Sequence, residues 1–158
     1  MLTAISNNIF ELLKLSIPSI FAIILFLLSS KRVSAETRKS KFQERINKLY
    51  VPFYQFCITH HLGNKEFNSL NGTLQKEIMD FLLENVYLMS TSCQATFITC
   101  YNSYSDYGIN SPYSNYDEFA IQLNLDFSDF MATMQTDYMH ICKKLKLPKP
   151  QNLFLPYL

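Results

Sequence analysis

Cys57, His60 and His61 place one thiol and two imidazoles within about one helical turn, and the Cys57–His61 spacing of four lets one helix face offer both to a metal ion. His140 or Cys142 from a later segment would complete four ligands. No second pair has ligand spacing, however, and two histidines just before Gly63-Asn64 suit a solvated helix end, so no metal is expected. The acidic set Glu77, Asp80 and Glu84 has helical spacing and suits acid–base or Mg²⁺ work. No phosphate-cradling loop, nucleophile elbow or H-E-x-x-H accompanies it, so a solvated acidic face is the simpler reading. Cys57, Cys93, Cys100 and Cys142 form no C-x-x-C pair and fall on apolar helix faces, where free thiols act as small hydrophobes. No catalytic residue or cofactor is predicted, and the chain is expected not to be an enzyme. The series Tyr101, Tyr104, Tyr107, Tyr113 and Tyr116, interleaved with Asn and Ser, reads either as a partner surface or as the wet end of a bundle.

These residues need elements to position them. A chain of 158 residues holds one modest domain. Three glycines are too few for strand-and-turn architectures, so the fold is expected to be all-α. The first helical pattern covers Glu36 to Leu62, with Phe42, Ile46, Leu49, Phe53 and Phe56 or Cys57 at spacings of three and four, and Pro52 is expected to bend it or remove one backbone bond. The second runs from Asn71-Gly72-Thr73 to Tyr107-Gly108 as one long helix, with the seam Ile78, Leu82, Val86, Met89, Cys93, Phe97, Cys100, Tyr104. The third opens at Asp117-Glu118 and carries Phe119, Leu123, Phe127, Phe130, Met134, Tyr138, Ile141 and Leu145 before Pro148. A second apolar edge at Ile121, Leu125 and Met131 suits a bundle centre or a homo-oligomer contact. Short connections predict an antiparallel three-helix bundle over 36–147, followed by a Pro-bounded apolar tail over 148–158 that is expected to dock.

Charge is polarised along the chain. Residues 31–48 carry a net of +5 and residues 49–142 a net of −8, and all three arginines lie between positions 32 and 45. Ahead of that collar, Leu15 to Ser30 is uncharged, and a transmembrane helix over about 9–30 is expected within the N-terminal segment 1–30. The charges after it (Lys31, Arg32, Arg38, Lys39, Lys41, Arg45) predict a single-pass protein with its N-terminus outside and its C-terminal domain cytoplasmic. Val33-Ser34-Ala35 resembles a cleavage site and keeps open a secreted, disulfide-linked reading. An acidic body disfavours nucleic acid as a partner.

Leu49-Tyr50-Val51-Pro52-Phe53 in the first helix, together with Asp137-Tyr138, Lys143-Lys144-Leu145 and Pro148 in the last, resembles a loose group of uncharacterised single-pass membrane proteins of Gram-positive bacteria and their phages. Lys146 stands where that group's pattern has glycine. The resemblance implies a helical cytosolic domain and supplies no catalytic residues. The functional expectation is a membrane-tethered, non-enzymatic interaction module, phage- or prophage-borne, with the bilayer and a protein as partners. The alternatives are a membrane-proximal metal-dependent enzyme and the secreted domain.

Overall fold

The computed structural model describes residues 2–62, 65–110 and 116–148, with side chains for 23–62, 65–109 and 117–148. Every described element is helical. Helix α1 spans Leu2–Arg45 and passes through a π turn, Ile46–Tyr50, into α2, Val51–Thr59. After a 3₁₀ turn at Phe67–Ser69 come α3, Gly72–Glu84, a second 3₁₀ turn at Val86–Leu88, α4, Thr91–Asn110, and α5, Tyr116–Leu145. Met1–Lys41 and Phe42–Leu158 form two compact units.

The first unit corrects the membrane expectation. No helix among the described residues is long and apolar enough to cross a membrane. The expected span over about 9–30 would have to carry Glu11 and Lys14, because the uncharged run Leu15–Ser30 has only sixteen residues and about 20 are needed. The single-pass localisation falls, and with it the role of Lys31, Arg32, Arg38, Lys39, Lys41 and Arg45 as orienting charges. In the structure Ile23 to Leu28 are exposed, as are Lys31 to Lys41, and Arg32 pairs with Glu36 at 3.2 Å.

The second unit is a helical bundle whose core gathers every helix in it. Leu49, Tyr50, Phe53 and Cys57 from the first segment meet Ile78, Met79 and Leu82 of α3, Cys93, Phe97 and Cys100 of α4, and Leu123, Phe130, Met134 and Ile141 of α5. The seam expected of one long helix faces the core, with Val86 and Tyr104 only partly buried, but the helix is broken. Asn85 ends α3 by turning its side-chain Nδ2 back to Phe81 O at 2.9 Å. Ser90 then opens α4, its Oγ accepting from Cys93 N at 3.3 Å. Both are short polar side chains that compete with the helical ladder for backbone groups. Two signals that look helix-compatible in a hydropathy pattern therefore act as a cap and a start.

Pro52 does not break the first segment. It sits in the first turn of α2, directly after the π turn, which closes with Val51 N–H donating to Ile46 O, and the helical backbone continues through it. The expected second edge of α5 divides: Met131 is buried, whereas Ile121 and Leu125 are more than half exposed. Residues 149–158, the apolar tail, lie outside the described residues.

Candidate functional site

The π turn determines what Arg45 and Tyr50 can reach. Five residues apart on an α-helix, they would point about 140° from each other. A π turn bonds i to i+5, which brings positions five apart back onto one face. Both side chains then meet Asp137 of α5. Arg45 Nη2 donates to Asp137 Oδ2 at 2.6 Å, and the Tyr50 hydroxyl donates to the same oxygen. Arg45 Nη2 also reaches the Tyr50 hydroxyl at 3.2 Å, and its Nε donates to Leu88 O in the second 3₁₀ turn. Ser90 N adds a longer contact to Asp137 Oδ2 at 3.4 Å. The Tyr50 ring stacks on Tyr138 at 5.0 Å with planes 4° apart.

The ion pair is largely enclosed, with side-chain exposure of 17% for Arg45 and 11% for Asp137. Burial, and then the bond to the Asp137 carboxylate, pushes the Tyr50 hydroxyl above its ordinary range, so it stays a neutral donor. This cluster joins the end of α1, the π turn, the α3–α4 junction and α5. It also unites the two short motifs on which the resemblance rested, since Tyr50 comes from the first and Asp137-Tyr138 from the second. Arg45, expected as a surface charge, is an internal strut.

A second site lies at the opposite end of α5. An open cleft of about 570 Å³ runs between the start of α3, with Asn68, Gly72 and Gln75, and the last turns of α4, with Tyr104, Ser105, Tyr107 and Gly108. Its α3 wall is tightly fastened. Gln75 is buried and its Nε2 donates to three backbone carbonyls, Phe67 O at 3.0 Å, Asn68 O at 3.2 Å and Leu70 O at 3.1 Å. Asn68 N donates to Asn124 Oδ1 of α5 at 3.0 Å, and Asn71 Oδ1 caps α3 by accepting from Leu74 N at 2.7 Å. Phe67 anchors the loop from below, stacked on Phe127 at 4.1 Å and edge-on to Tyr104 at 6.2 Å.

The tyrosine series is thus partly brought together. Tyr104 and Tyr107 line the cleft, and Tyr101 stands beside Tyr104 with ring centroids 6.3 Å apart. Tyr113 and the Tyr116 side chain lie outside the described residues. Burial, then the Asp80 charge, raises the Tyr104 hydroxyl above its ordinary value. The reading by tyrosine count missed Asn68, Gln75 and the two glycines. Gln75 carried a signal, as a polar residue three positions before Ile78 on the buried stripe of α3.

The remaining chemical candidates are accounted for by packing. Cys57, Cys93 and Cys100 are buried, and desolvation pushes each thiol up to about 12. Cys142 is buried too, and its thiol is raised by the same cause. His61 and His140 are exposed, and His60 packs its ring against Phe56 at 4.4 Å. Among the described residues, no group of three or more His, Cys, Asp or Glu is placed to hold a metal ion. Glu77 and Glu84 are exposed, and Asp80 pairs with Lys76 at 2.9 Å.

Comparison with protein-family models, curated proteins and solved structures finds no match to this chain. The resemblance drawn from the short motifs stands on those residues alone, and the structure supplies the functional argument.

Proposed function

We propose that this chain is a non-enzymatic interaction module that docks a protein partner in the cleft between α3 and α4. The observation behind this reading is the character of the lining. Two tyrosines, a serine, two glycines and two carboxamides, with Leu70 and Ile109, line a preformed gap, and none of the described lining residues is charged. Tyrosine supplies rigid amphipathic area at low entropic cost, while Ser, Gly and Asn supply adaptable hydrogen bonding; that mixture is typical of protein-recognition surfaces. The fastened loop favours binding further, because its ordering cost is met by folding rather than by association.

The test uses a photo-crosslinking residue at exposed Ser105 of the full chain, expressed in its native cells. A discrete protein adduct is expected, and it should disappear when Gly108→Leu fills the cleft. A Cβ at Gly108 meets nothing within 4 Å, so a side chain has room to start there, and Gly108→Leu should unfold at the wild-type temperature. An adduct that persists undiminished in Gly108→Leu, or the absence of any protein adduct, overturns the reading.

A further inference from the structure

Beside the cleft, one polar atom stands apart. The Asn68 Oδ1 is buried and has no hydrogen-bond partner among the described residues. The backbone of the same residue is fully used, its N–H by Asn124 and its carbonyl by Gln75. An enclosed acceptor left unpaired is a local departure from the rule that buried polar groups are satisfied, and such departures concentrate at functional sites. Relief is close at hand, because Asn68 lines the cleft and the terminal torsion of a carboxamide is soft.

We propose that the cleft takes an uncharged, extended peptide segment that donates a backbone N–H to the Asn68 carboxamide oxygen. This inference rests on the docking role above and names its ligand class. Three observations support it. First, the described lining residues are uncharged, and Lys76, next to Gln75 in the chain, is already paired with Asp80, so a charged segment would meet no counterion in the lining. Second, the walls present glycine on both sides, Gly72 and Gly108, and a Cβ added at either would stand in open space. Backbone can therefore approach backbone at both walls. Third, the unmet requirement is for a single donor, which every non-proline peptide unit carries as an obligatory N–H. A saccharide would bring many hydroxyls, each needing partners of its own.

The experiment is a random-peptide display selection on the full chain, with counter-selection against Gly108→Leu. Enriched peptides are then synthesised with capped ends and titrated against wild type, Asn68→Ala and Gly108→Leu, with maltopentaose as the saccharide probe. Uncharged core sequences should be enriched, affinity should fall about tenfold in Asn68→Ala as one hydrogen bond is lost, and Gly108→Leu should not bind. Asn68→Ala should unfold at the same temperature as wild type or higher, since it removes an unpaired buried acceptor. A merely structural Asn68 would show the reverse, with lower stability and unchanged affinity. Enriched cores carrying Asp, Glu, Lys or Arg, unchanged affinity in Asn68→Ala, or saturable binding of maltopentaose would overturn the inference. If the crosslinked partner is still lost in Gly108→Leu while no uncharged peptide is enriched, the docking role stands and the ligand class falls. If the adduct is indifferent to Gly108→Leu, the docking role itself falls.

Discussion

At the scale of single residues, the Arg45–Asp137 pair carries a prediction of definite size. A buried ion pair contributes little net stability compared with apolar substitutes, yet removing one member strands the other in a low-dielectric site. Asp137→Asn and Arg45→Met should each lower unfolding free energy by about 3–5 kcal/mol, and the double variant should recover part of that loss. Urea unfolding of the four proteins measures the coupling; strictly additive losses would show that the pair does not act as a unit. The thiols yield a pH prediction of definite sign. Cys57, Cys93 and Cys100 are raised from 9.0 to about 12 in the folded chain, so their contribution is fully present below about pH 9. It is lost as pH rises from about 9 towards 12, because the unfolded chain releases protons that the native state retains. The urea midpoint should therefore fall between pH 8.5 and 10 in about the order of one proton per thiol, and replacing the three cysteines with alanine should flatten the slope.

At the scale of elements, local backbone chemistry explains departures that hydropathy alone does not show. The C-terminus of α5 closes with Leu147 N–H donating to Cys142 O at 2.9 Å, which puts Lys146 in the left-handed region at φ 58°. The resemblance had glycine at this position, and the geometry shows the physical reason for that preference. Lys146→Gly should raise stability by about 0.5–1 kcal/mol in thermal unfolding, as the strain of a side chain at positive φ is removed. The π turn should tolerate loss of its extra residue. Deleting the exposed Asn47 would convert it to an ordinary α turn with Arg45 and Tyr50 four apart and about 40° from each other, so both stay on one face. That deletion should cost much less than Asp137→Asn, and urea unfolding of the two variants compares them. Much of this was legible beforehand: the seam from Ile78 to Cys100 and the α5 stripe from Leu123 to Ile141 face the core as spacing predicts, with only Val86 and Tyr138 partly exposed. The break at Asn85–Ser90 was not, because periodicity continues through it and only the cap hydrogen bonds reveal the turn.

At the scale of the molecule, the two units respond differently to substitution. Phe130 is fully buried in the bundle and touches the rings of Phe97 and Phe127, so Phe130→Ala should cost about 3–5 kcal/mol. Phe26, 71% exposed on α1, should be replaceable by serine with the bundle's unfolding midpoint unchanged. Calorimetry on the full chain distinguishes the two, and a large shift for Phe26→Ser would contradict its exposure. The uncharged N-terminal run is also where reading by composition went furthest astray. Polarity of charge gave it a direction, yet no helix among the described residues is long and apolar enough to cross a membrane, and the uncharged run itself has only sixteen residues.

What the sequence by itself determined is the class and the burial pattern: few glycines, caps and three-to-four spacing dictate helices, and the same spacing marks which face turns inward. Those are local properties, set by the periodicity of one backbone. The sites are not local. Arg45 and Asp137 are 92 positions apart, and their pairing depends on a π turn that no hydropathy pattern encodes. Tyr104 was visible as one of a series, but whether a tyrosine rims a cleft or merely faces water depends on what stands opposite. Only the tertiary structure placed Asn68 and Gln75 across from it, because that juxtaposition comes from packing between α3, α4 and α5 and not from any spacing along the chain.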